Sequence, residues 1–181
     1  MKKPVSLLLL VIAAAATSFA GTESASKKVV VAPASTYFHA NEWQVDVAVV
    51  GAAGTYQGSS SESIGGNLGV NYFFTRYLGV GLVNSVSGYG HSGSVNATDR
   101  LQADILLRYP IESLRLAPYA MVGGGASWDT VSQGNGNVGL GLDYRVSQHV
   151  GLFGDCRWLY GNSSAGVTTT AMPRVGVRLV F

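Results

Sequence analysis

Three sets of side chains are the candidates for chemistry. His91 is followed by Ser92, and Asp129 lies on a separate polar connection. A serine with a neighbouring base and carboxylate is the minimum for acyl transfer, provided folding brings the three together. No esterase or acyltransferase motif surrounds them, and loop histidines and serines are common without function. His39 falls in the segment before the first strand and His149 in a short connection, so only His91 has a serine on an outer connection beside it. Cys156 is the only cysteine, which excludes an internal disulfide and a thiolate zinc cluster. The third set is larger: Asp46, Arg100, Asp104, Arg108, Asp143, Arg145, Asp155, Arg157, Arg174 and Arg178. Arginine and aspartate without lysine is the composition of a paired, dehydrated interior, because the guanidinium fork bonds carboxylates bidentately. No cofactor or metal is implied.

The elements that must position these groups follow from composition and period. Lys2 and Lys3, the apolar run from Leu7 to Ala16 and the small residues of Ser18-Phe19-Ala20 read as a cleavable export signal over 1–20. At roughly ten residues the run is too short to span a bilayer as a helix. The chain carries 12 Lys+Arg and 10 Asp+Glu; removing the signal leaves it formally neutral. With no basic face, a nucleic-acid partner is not expected. Glycine, at 24 of 181 residues, disfavours helix and points to sheet. Residues 21–41 are small, polar and aperiodic, and read as a loosely ordered periplasmic leader.

From Trp43 onward the hydrophobic period is two. Trp43, Val45, Val47 and Val49 alternate with Gln44, Asp46 and Ala48. Segments around 64–72, 78–82, 100–109, 137–146, 150–158 and 174–181 repeat the pattern, and a Gly- and Ala-rich stretch from Leu116 to Ser127 has faces that cannot be assigned. That makes eight strands over 42–181. Thr75-Arg76, Pro110 to Arg115 and Ser147 to His149 are short connections. Those near 56–62, 86–98, 127–136 and 161–170 are expected to be longer loops rich in Gly, Ser, Asn and Thr. Short turns on one side and longer loops on the other is the asymmetry of outer-membrane barrels, and an even strand count puts both termini in the periplasm.

Period alone does not say which face meets lipid. The ten arginines and aspartates named for the interior all lie on the polar faces, and no lysine occurs beyond Lys28. Trp43, Tyr72, Phe74, Tyr109, Tyr144 and Phe181 share apolar-face parity and sit at the short-turn ends of their segments. Aromatics gathered at one height form an interfacial girdle, which an ordinary soluble core does not require. The expected fold is therefore an all-β, eight-stranded antiparallel up-and-down transmembrane barrel with its charges inside.

Val70-Asn71-Tyr72-Phe73-Phe74-Thr75 running into Leu78-Gly79-Val80-Gly81, then Ala117-Pro118-Tyr119 and Leu142-Asp143-Tyr144-Arg145, carry a resemblance over 43–181. They resemble the small outer-membrane β-barrel domain family of the opacity proteins and the outer-membrane protein A transmembrane domain. The ending with Val177, Leu179 and Phe181 resembles the C-terminal signal read by the barrel assembly machinery. The resemblance implies a monomeric barrel in the bacterial outer membrane, surrounded by its lipid, with outer loops open to a surface ligand that the sequence does not name. A non-enzymatic structural or surface-interaction role is expected, with a narrow channel as the alternative and a lipid A-modifying enzyme at His91, Ser92 and Asp129 behind it.

Overall fold

The computed structural model describes residues 36–56, 59–91, 94–128, 132–163 and 166–181. The expected signal and most of the leader, Ser92 and Asp129 lie outside them. Eight antiparallel strands follow one another: β1 (Glu42–Tyr56), β2 (Ser59–Phe73), β3 (Leu78–His91), β4 (Ser94–Arg108), β5 (Leu116–Trp128), β6 (Ser132–Arg145), β7 (Val150–Ser163) and β8 (Gly166–Val180). Each pairs with the next, and β8 pairs with β1 to close the barrel. A short 3-10 turn, Glu112–Leu114, connects β4 to β5.

The register fixes the geometry. Stepping across the ladder from Asp46 through Gly69, Val83, Gln102, Gly125, Asn135, Gly161 and Thr168 returns to β1 at Tyr56, ten residues further along. A stagger of ten over eight strands corresponds to a tilt of about 40° and a backbone radius of roughly 8 Å. A barrel of that width has an interior that side chains can fill. The seam between β1 and β8 is interrupted between Val50 and Ala53, opposite Met172 and Pro173. Proline has no N–H to give the ladder, which accounts for the gap.

Alternation along each strand sorts the side chains. Val47, Val49, Ile105, Leu107, Leu140, Leu142, Val175 and Val177 are exposed on the outside, while Gln44, Asp46, Asn71, Gln102, Asp104, Asp143 and Arg178 are buried inside. The strand with unassignable faces, β5, turns Ala117, Tyr119 and Met121 inward and Val122 outward. Its inward glycines, Gly123 and Gly125, take part in close packing, and so do Gly139 and Gly141 on β6. A Cβ at Gly141 would lie 2.5 Å from the Tyr119 ring and 2.6 Å from the Asp155 Cβ, so glycine there makes room for both.

The expected long loops are corrected by the structure. β1 runs to Tyr56 and β2 begins at Ser59; β3 reaches His91 and β4 begins at Ser94; β5 and β6 are separated only by 129–131, and β7 and β8 only by 164–165. These segments lost the period-two pattern without leaving the ladder. Their residues are mostly small and polar on both faces, so the apolar-polar contrast that marks alternation is missing, yet backbone pairing needs no particular side chain. His91, taken for a loop residue, is a β3 residue paired with Ser94.

Candidate functional site in the barrel lumen

Among the described residues, five acids (Glu42, Asp46, Asp104, Asp143 and Asp155) and five arginines (Arg108, Arg145, Arg157, Arg174 and Arg178) are buried in the lumen. They come from every strand except β2, β3 and β5, at inward positions of the alternation. Equal numbers matter here. An uncompensated charge in a low-dielectric interior costs several kcal/mol or more, whereas paired, hydrogen-bonded charges cost far less.

The pairs form a chain through the barrel. Near the short-turn end Glu42 is the hub: Arg108 Nη1 donates to its Oε1 at 2.7 Å, Arg145 Nη2 to the same oxygen at 2.6 Å, and Gln44 Nε2 at 2.5 Å. Arg145 also donates to Asp143 Oδ2 at 3.2 Å, and Asp143 Oδ2 accepts from Arg178 Nη1 at 2.8 Å. Arg178 in turn grips Asp46 with two bonds of 2.7 Å, Nε to Oδ1 and Nη2 to Oδ2. Asp46 and Arg178 face each other directly in the β1–β8 register, so this bidentate pair lies across the closing seam. Asn71 completes the Asp46 shell by donating at 2.9 Å.

A second group lies further up. Arg174 holds Asp155 with Nε at 2.7 Å and Nη2 at 2.5 Å, Tyr119 donates its hydroxyl to Asp155 Oδ2 at 2.6 Å, and Arg174 Nη1 reaches Asn67 at 2.9 Å. Arg157 Nη1 is 2.6 Å from Asp104, off the line of a hydrogen bond, so its contribution is chiefly Coulombic. Asn137 donates to Asp104 and to Gln102 from the far side of β5. Aromatic faces separate the cations: Phe153 lies 4.7 Å from the Arg178 guanidinium, and Phe73 lies 3.8 Å from that of Arg108. Such contacts stabilise a guanidinium without adding a charge.

Of the ten charged residues read from the sequence, Arg100 stands apart. It is half-buried toward the opposite end and donates to Ser87 Oγ at 2.8 Å. Glu42 was missed, although its parity with Gln44 and Asp46 was available; it sat at the boundary between leader and first strand. Phe38 was missed without any signal to find it. It precedes the alternation, and it is buried beside Arg108 and Arg145.

The outside is banded. Trp43, Tyr72, Phe74, Tyr109, Tyr144 and Phe181 fall within a zone roughly 6 Å tall at the short-turn end once the stagger is applied. Trp43 and Tyr72 have ring centroids 4.8 Å apart, and Tyr72 meets Phe74 edge-on at 5.0 Å. Trp158, Tyr160 and Trp128 are exposed at the far side of the apolar band. Their height is roughly 25 Å above the first zone, the thickness of a barrel's apolar belt. Val177, Leu179 and Phe181 all face outward.

The chemistry available is ionic and structural. His39 and His149 lie at the short-turn end, and no group of three or more His, Cys, Asp and Glu residues among the described residues could hold a metal ion. No protein-family model matches the chain, and no curated protein sequence matches it. Solved structures do. Neisserial surface protein A superposes with a TM-score of 0.64 at 15% identity, over 76% of this chain and 96% of its own. Ail, the attachment invasion locus protein of Yersinia pestis, gives 0.56 at 17%, over 77% and 99%. The outer membrane protein OprG of Pseudomonas aeruginosa gives 0.53 at 14%, over 81% and 99%. The shared feature at such low identity is architecture: this chain has the fold of the small eight-stranded outer-membrane β-barrels.

Proposed function

We propose that the protein is an integral barrel of the bacterial outer membrane with a non-enzymatic role, either in envelope integrity or in presenting its extended strand ends to a surface partner. The observation that carries the reading is its inverted polarity: leucines, valines and isoleucines exposed between two aromatic zones, with ten compensated charges buried within. A soluble protein of this size would have to leave that whole apolar band in water, far more than the few hundred Å² usually exposed. Both termini are assigned to the periplasm, with the short turns, and the outward Val177, Leu179 and Phe181 to recognition by the assembly machinery. Monomeric insertion in lipid suits a barrel whose edges are all paired.

The ion-pair chain supports a closed lumen over conduction, because a permeating ion would have to displace charges that are already paired, most of them through hydrogen bonds. Ail has been crystallised with the heparin analogue sucrose octasulfate. A comparable polyanion partner is not favoured here, since the outer ends carry Glu62 and Asp99 beside Arg100. Two measurements test the proposal. The protein should fractionate with outer membranes and run faster on gels unboiled than boiled, and it should leave planar bilayers non-conducting. Recovery as a soluble periplasmic protein would overturn the membrane assignment, and steady single-channel conductance would overturn the closed lumen.

A further inference from the structure

Residues 36–41 precede the barrel in sequence, but they run across its short-turn mouth. Asn41 makes the bend: its φ of 57° is left-handed, a conformation asparagine tolerates, and its Oδ1 accepts a bond from the Tyr72 hydroxyl at 3.0 Å. Phe38 is then only 1% exposed, its ring 5.2 Å from the Arg108 guanidinium and 4.8 Å from that of Arg145. Those are the two arginines that hold Glu42, so the phenyl ring closes the underside of the hub. The backbone is held as well. Arg108 Nη2 donates to the His39 carbonyl at 3.0 Å, the His39 N–H donates to Glu42 at 3.2 Å, and the Tyr37 N–H donates to Glu112 at 3.0 Å.

We propose that residues 36–41 are a releasable strap that seals the short-turn end of the lumen and controls entry of water and ions to the Glu42 cluster from that side. The inference deepens the closed-lumen reading above and rests on it. Two features make the strap releasable. None of its hold points is a rung of the barrel ladder, so it can lift while all eight strands stay paired. Its first residues are also held on one flank only, where Tyr37 meets Glu112 and Arg115. Along the other runs a crevice of about 170 Å³, bordered by Thr36, His39, Gln148 and His149. Segments held by a few side-chain contacts open at far lower free energy than the fold they cover.

Thiol labelling in micelles tests this. In a Cys156→Ser chain, Gln44→Cys places a reporter on a fully buried position just above Glu42, and Ser63→Cys places a second at the opposite end of the lumen. The probe is a small, positively charged methanethiosulfonate. With the native strap, Gln44→Cys should react slowly. Phe38→Gly should speed it by about tenfold or more, Phe38→Leu should restore the slow rate, and Ser63→Cys should not change. Should Phe38→Gly fail to give the folded gel band, Tyr37→Ala loosens the Arg115 side while keeping the ring, and should accelerate Gln44→Cys by a smaller factor. Equal rates with and without the ring, or equal acceleration at both reporters, overturn the strap. Fast labelling of Gln44→Cys in the native-strap chain overturns the closed lumen itself.

Discussion

Arg178 touches two carboxylates at once, Asp46 through two bonds and Asp143 through one, and Asp143 also holds Arg145. Charges coupled in this way do not contribute independently. Asp46→Ala leaves Arg178 with one of its three bonds, to Asp143, whereas Arg178→Ala leaves Asp46 with the Asn71 amide and no cation in contact. Each single change should destabilise the folded barrel by about 3–5 kcal/mol, with Arg178→Ala the larger, since stranding one member of a buried pair is what costs most. The double mutant should cost less than the sum, because neither charge is then left alone. Urea unfolding from micelles measures all three, and strictly additive losses would dissolve the pair. The inward arginines and aspartates were legible from parity, since period two places every second residue on one face. Closure of the first strand on the last puts Asp46 and Arg178 at similar depth, so that one pair follows from the sequence. The partners of the other arginines were not legible, because the stagger of ten shifts partners by several residues around the barrel. Glu42 shows the other limit: a hub at the first residue of a strand has no alternation behind it to mark it as part of the sheet.

At the scale of strands, the sequence carried most of the count and direction of the elements and little of their length. Alternation is enforced only where one face meets lipid and the other the lumen, so it marks the membrane-spanning part of each strand and falls silent beyond. β3 and β4 continue to His91 and Ser94 through a stretch that looks like a polar loop. The abundance of glycine was read correctly as sheet, but its reason lies in inward crowding that only the register reveals. Gly141 and Gly134 sit on the same strand and make a matched test. A Cβ at Gly141 meets Tyr119 and Asp155 well inside contact distance, whereas at Gly134, on the exterior, it meets nothing within 4 Å. Gly141→Val should therefore cost at least about 1–3 kcal/mol from overpacking, more if the Tyr119–Asp155 bond is displaced. Gly134→Val should be neutral or slightly stabilising, because a β-branched residue suits an extended backbone. Comparable losses in the two variants, read from urea midpoints, would mean that β6 does not have this register.

For the molecule as a whole, the decisive question is which face meets lipid, and Cys156 is placed to answer it. The thiol is unpaired and half-buried on the outward face of β7, between Leu140 on β6 and Pro173 on β8 in the ladder. Leu140 is 71% exposed, so this part of the surface is broad and apolar. On the stagger derived above, Cys156 lies roughly 14 Å above the lower aromatic zone and roughly 10 Å below Tyr160, near the middle of the band. A charged maleimide must leave water to reach that depth, and burying an isolated charge in hydrocarbon is costly enough to exclude nearly all of it. An apolar maleimide partitions into the same region. In intact membranes the charged reagent should therefore label Cys156 slowly and the apolar one readily, and after denaturation both should label it to completion. The comparison separates orientation from reactivity, since a thiol that is merely shielded by neighbouring side chains would resist both reagents. Rapid labelling by the charged reagent in the folded protein would place Cys156 in water, and with it Leu140, Leu152 and Trp158 on the same face.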